Sequence, residues 1–106
     1  MRSDQRNTTR KVLKVKAQLA LEGADPMAGR TVDVGSDGMC LLLEQPLKPG
    51  TLGTVRFEIF HEGKAKPIVA RSKVQYCILS NDGFKIGFQF VNVDLTAMAA
   101  LSKFLH

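Results

Sequence analysis

The sequence predicts an all-β fold, a barrel of about six short strands followed by one C-terminal helix. Three observations predict it. Apolar residues recur at every second position in several runs between Val15 and Phe90, the period of half-buried strands. Turn-forming residues punctuate those runs at short intervals, and closely spaced strands joined by tight turns favour a barrel. Near Asp94 the period changes to that of a helix.

In order, Val15, Ala17, Leu19 and Leu21 alternate with polar positions and make the first strand. Glu22-Gly23-Ala24-Asp25-Pro26 is turn chemistry. A strand is expected from Met27 to Val34, interrupted by Gly35-Ser36-Asp37-Gly38 and resumed from Met39 to Glu44. Pro46, Pro49 and Gly50 mark a loop. Val55, Phe57 and Ile59 alternate in the next strand, and His61-Glu62-Gly63-Lys64 suits a hairpin turn. The long run from Pro67 to Ile78 places Ile68, Ala70, Ser72, Val74, Tyr76 and Ile78 on one face. Ser80-Asn81-Asp82-Gly83 is the clearest hairpin signal, because Asp-Gly tolerates the positive φ of such turns. Phe84, Ile86, Phe88 and Phe90 share a face of the last strand. Asp94 is a good N-cap, and Leu95, Met98, Leu101 and Leu105 are expected to form the buried stripe of the helix.

The 106 residues suit one domain. Hydrophobic content of 44% and charged content of 24% are ordinary for a globular protein. No apolar run approaches the roughly 20 residues that span a bilayer, and the charged N-terminus does not read as a signal peptide. A cytoplasmic protein is expected, with no membrane insertion. Cys40 and Cys77 lie in no CxxC pair and read as small apolar strand residues. His61 and His106 have no evident partner, so neither zinc nor nucleophilic chemistry is indicated. The sequence predicts no enzyme, and no cofactor or metal is expected.

The net charge of +5 is unevenly placed. Arg2, Arg6, Arg10, Lys11, Lys14 and Lys16 stand against Asp4 alone in the first 16 residues, and the rest of the chain is neutral. Such an asymmetry points to an anionic partner. Residues 1–11 are read as a flexible basic arm and residues 12–106 as the barrel with its helix. Arg71 and Lys73 lie on the polar face of the long strand and read as solvated.

Two short motifs bear on chemistry. Arg6-Asn7-Thr8-Thr9-Arg10 is an RxxxR, and Asp33-Val34-Gly35-Ser36-Asp37-Gly38 places Asp and Gly five apart on a strand, turn and strand. In this order, in an all-β chain of this length, they resemble the signature of the PilZ domain family, which carries RxxxR near its first strand and (D/N)xSxxG at the second strand and turn. Gly87-Phe88-Gln89-Phe90-Val91-Asn92-Val93-Asp94 resembles the family's final strand. The resemblance covers nearly the whole chain and implies a six-stranded antiparallel PilZ-type β-barrel with one C-terminal α-helix. It also implies a bacterial receptor for cyclic di-GMP, with Arg6, Arg10, Asp33, Gly35, Ser36 and Gly38 at the ligand. One position departs: Gly35 stands where the family has serine, and Ser36 follows it. A shift of one along a strand turns a side chain to the opposite face.

The residue chemistry points the same way. A guanidinium grips a phosphate bidentately, donates to guanine O6 and N7, or stacks on a base. Charge-assisted bonds contribute roughly 1.5–3 kcal/mol each, so Arg6 and Arg10 together supply a useful share of a micromolar affinity, about −8 kcal/mol. An ionised Asp33 only accepts hydrogen bonds, which suits the guanine N1–H and N2–H₂ edge. Gly38 would let the backbone turn and approach the ligand. The expected partners are cyclic di-GMP and a downstream protein effector, with no DNA, and the expected state is a monomer or weak dimer. On ligand binding the arm is expected to order and present a surface to the effector. The alternatives are a PilZ-like protein-interaction domain without nucleotide and a small RNA-binding β domain. The RNA reading rests on Lys85-Ile86-Gly87-Phe88-Gln89-Phe90-Val91, which faintly resembles an RNA-recognition signature.

Overall fold

The computed structural model describes residues 10–106. Arg6 and the rest of the arm before Arg10 lie outside them. Seven strands precede one helix: β1 (Arg10–Val12), β2 (Lys16–Leu21), β3 (Met27–Gly35), β4 (Gly38–Leu43), β5 (Leu52–His61), β6 (Lys64–Ser80), β7 (Gly83–Val93) and α1 (Leu95–Leu105). All pairings are antiparallel, and the β3–β4 pairing closes β2 to β7 into a six-stranded barrel. The expected barrel and terminal helix are therefore both present. No helix among the described residues is long and apolar enough to cross a membrane.

The extra strand is β1. It pairs with the second half of β3, Arg10 opposite Gly35 and Val12 opposite Asp33, while β2 pairs with the first half. The expected boundary between arm and barrel at residue 11 thus falls inside a strand. Three residues were too few to show a period in the sequence. β1 and β2 lie end to end along one edge of β3, and Thr31 fills the break between them. Its buried hydroxyl accepts from the Val15 amide and donates to the Leu13 carbonyl. Leu13 N–H donates to Val32 O, and Thr31 N–H to Val15 O, so the ladder resumes on either side.

The core is the inward half of each alternation. Leu19, Val34, Met39, Leu41, Val55, Ile59, Ile68 and Ile86 are fully buried. Phe88 is buried, and Phe84 and Phe90 pack on the same core. The RNA-binding alternative needed outward-facing aromatics on this strand and loses its support here.

β6 is 17 residues long and cannot stay in register while it wraps the barrel. Its pairing with β7 slips twice, between Arg71 and Ser72 and between Val74 and Tyr76. The second slip leaves Gln75 as an extra residue and reverses which side chains face in. Ile68, Ala70, Ser72 and Val74 point inward as expected. Tyr76 and Ile78 instead face out, 43% and 56% exposed, and Cys77 packs on the core.

The hairpins form where expected, with one difference. Glu62 and Gly63 are the pair with positive φ, at 54° and 75°. In the β6–β7 hairpin, Ser80 pairs with Gly83, so the link is Asn81-Asp82, and only Gly83 has a positive φ, 137°. The helix begins as expected, with the Asp94 carboxylate accepting from the Ala97 amide at 2.7 Å. Its buried face is Ala97, Leu101 and Leu105, flanked by Ala100 and Phe104. Leu95 and Met98 were expected in that stripe but are 83% and 52% exposed. A stripe through 97, 101 and 105 already fills the contact with β5 and β6. Lys11 ties β1 to the end of α1, donating to Phe104 O at 2.9 Å with its ammonium 4.9 Å from the ring centre. A cation suits the carbonyl end of a helix.

Replacing Thr31 with Val keeps the shape and strands the Val15 amide and the Leu13 carbonyl. We expect a loss of about 2 kcal/mol in urea denaturation, and a change within about 0.5 kcal/mol would remove the bridging role.

Candidate functional site

Four residues form a transverse row on the outer face of the barrel. Asp33 of β3 pairs with Cys40 of β4, Cys40 with Gly87 of β7, and Gly87 with Tyr76 of β6. Arg10 enters from β1. Its register opposite Gly35 places it one step beyond Asp33, and its guanidinium donates to the Asp33 carboxylate at 2.6 Å. Both side chains remain partly exposed. Such a pair contributes at most about 1 kcal/mol, so a ligand can recruit either group at small cost. Arg10 and Asp33, 23 residues apart in sequence, are thus brought together.

The other end of the row is aromatic. The Tyr76 ring lies over Gly87, where an added Cβ would come within 2.0 Å of a ring carbon. The Tyr76 phenol and the Cys40 thiol shift each other's titration, and the thiol itself donates to Leu41 O at 3.9 Å. Burial pushes that thiol's pKa above its usual 9.0; the Tyr76 hydroxyl opposes the shift, Asp33 adds to it, and Lys85 and Arg10 oppose it. Burial also raises the Tyr76 phenol, and Cys40 and Asp33 add to that shift. Both groups stay protonated at neutral pH, so the pair offers hydrogen bonds and a ring face rather than a nucleophile.

The turn residues have separate jobs. Gly35 ends β3 and is buried, while Ser36 and Asp37 form the exposed link to β4. Ser36 is therefore in a turn, where the strand rule for opposite faces does not apply. The Asp37 carbonyl accepts from the Phe90 amide at 2.8 Å and binds the turn to β7. Gly38 is needed for packing: a Cβ there would sit 2.2 Å from the Phe88 carbonyl oxygen, and its φ is not positive. Gly38 thus opens β4 with its backbone packed closely against β7. Arg6 lies outside the described residues. A cleft of about 1140 Å³ elsewhere on the described residues is lined by none of the row's residues. No cluster of three metal-ligating side chains occurs among the described residues.

Sequence reasoning missed Tyr76, Cys40 and Gly87. Tyr76 was counted inward because the Gln75 slip is invisible to a period of two. The available signal was Gly87, since a glycine inside a strand marks a close approach or a bulge.

The PilZ domain family model matches residues 4–106, and the chain belongs to that family. The inhibitor of motility MotI/DgrA of Bacillus subtilis is similar in structure, with a TM-score of 0.87 at 13% identity over 99% of this chain and 51% of that one. Escherichia coli YcgR in complex with c-di-GMP is similar at a TM-score of 0.73 and 19% identity, over 94% of this chain and 44% of that one. The PilZ domain of YcgR with c-di-GMP is similar at 0.66 and 17%, over 96% and 89%. The chain spans about half the length of the first two structures. No curated protein matches the sequence at a significant level.

The raised Cys40 and Tyr76 groups set an alkaline limit. The folded chain holds both protons more tightly than the unfolded one. Their contribution is therefore full below the ordinary thiol value of 9.0 and is lost as pH rises through the higher folded values. Urea midpoints should fall above about pH 9, and Cys40→Ala with Tyr76→Phe should flatten that fall. An equally steep fall in the double variant would exclude these groups as its source.

Proposed function

We propose that this domain is a cyclic di-GMP receptor and adaptor, a binding protein rather than an enzyme. The observation that carries the reading is the Arg10–Asp33 pair at 2.6 Å, one residue from each family motif, set in a row with the exposed Tyr76 ring. Membership of the PilZ family and likeness to two structures described with c-di-GMP support it.

The chemistry divides among the residues. Arg10 grips a phosphate or the guanine O6 and N7 edge. The Asp33 carboxylate accepts from guanine N1–H and N2–H₂. The face of Tyr76 offers a base a stacking surface. Arg6 joins from the arm, and Gly35, Ser36 and Gly38 shape the adjoining turn. Gly35 lacks the hydroxyl that the family's serine supplies, so Ser36 in the exposed turn is the nearby substitute. The arm orders over the bound nucleotide, and that new surface engages a protein effector in the bacterial cytoplasm. The competing reading is a PilZ-like interaction domain without nucleotide.

Calorimetry with cyclic di-GMP separates the two. We expect binding in the micromolar range, weakened at least about tenfold by Arg10→Ala. Silence at high micromolar ligand, on folded protein, would sink the receptor reading. Amide exchange at residues 2–11 should slow when ligand binds; unchanged exchange there would contradict the ordering step.

A further inference from the structure

The row beside the candidate site carries unpaired positive charge. Lys16 of β2 pairs with Arg30 of β3, Arg30 with Leu42 of β4, Leu42 with Lys85 of β7, and Lys85 with Ile78 of β6. Three of its five members are cations and none is an acid. Lys16 and Arg30 face each other directly, an arrangement that costs stability when nothing neutralises it. None of the three forms a salt bridge with another described residue.

Lys85 is the cation next to the site. It is exposed and sits two residues before Gly87 on β7, about 6.8 Å along the strand. Leu42 and Ile78 flank it on either side, so no neighbouring strand offers it a carboxylate. Its charge reaches Cys40 and acts there in the same direction as that of Arg10. The Arg10 guanidinium is held at Asp33 on β3, two strands from β7, a separation of roughly 10 Å. Cys40 and the Gly87–Tyr76 contact lie between them.

We propose that Lys85 is a second phosphate-binding group for the same ligand. It takes the cyclic dinucleotide's phosphate on the β7 side, while Arg10 serves the side nearer β3. Arg30 and Lys16 add positive potential behind Leu42 without touching the ligand. This rests on the receptor reading above and adds a residue that neither motif contains.

The test is calorimetric titration of the full chain with cyclic di-GMP. Lys85→Gln should weaken binding roughly five- to tenfold, and Lys85→Arg should stay close to wild type. The loss should shrink in about 0.5 M salt, where exposed charges are screened. Arg30→Gln should cost less than about threefold. Lys64→Gln removes the same charge at the β5–β6 hairpin, 12 residues from Tyr76 along β6, and should change nothing. Binding by Lys85→Gln within about twofold of wild type, while Arg10→Ala is impaired, overturns this inference and leaves the receptor reading intact. Equal losses in Lys85→Gln and Lys85→Arg, at unchanged thermal midpoint, also overturn it. No binding by the wild-type chain overturns both.

Discussion

β3 serves three strands, and the candidate binding face depends on that sharing. One edge carries β2 and then β1, and the other carries β4. A nine-residue strand can do this because its partners on the first edge divide its length. The division requires a break, and a break strands backbone groups that must find partners. Thr31 supplies them with a single hydroxyl. Once the break is fixed, so is the register of β1, and with it the position of Arg10 beside Asp33. A motif that looks like a free basic tail is, at its second arginine, part of a β-ladder.

The barrel and helix were legible because their signals are local and repeated. Alternation in β2, β5 and the first half of β6 gave the inward residues directly, and Asp94 marked the helix start. Arg10 and Asp33 were legible as candidates because residue type and spacing carried them. Three features were not legible, each for a physical reason. β1 has three residues and gains its strand identity wholly from β3. The slip at Gln75 is a property of two strands, and no single strand's pattern contains it. The buried stripe of α1 was assigned to Leu95, Met98, Leu101 and Leu105, and the helix instead turns Ala97 inward with Leu101 and Leu105.

The candidate site lies on the barrel's outer face. Such a face encloses little of a ligand, so affinity has to come from charge-assisted bonds and ring contact rather than from burial. The described residues supply both, an arginine with its carboxylate at one end and a tyrosine at the other. Among the described residues, Arg10 and Lys11 of β1 put positive charge at the arginine end of the row. That distribution attracts an anion before any specific contact forms.

The contact between Tyr76 and Gly87 links the fates of two positions 11 residues apart. A side chain at 87 must expel the ring, since its first carbon would already overlap it. The ring in turn has its place on the outer face only because Gln75 shifts the register before it. Substitutions at these positions are therefore not independent. A homologous chain that carries any larger residue at the glycine has given up an aromatic lid over β7, whatever its neighbouring motifs preserve. Comparing the pair across the family would sort its members by whether an aromatic ring covers β7 on this face, a distinction that arginine and aspartate motifs alone do not make.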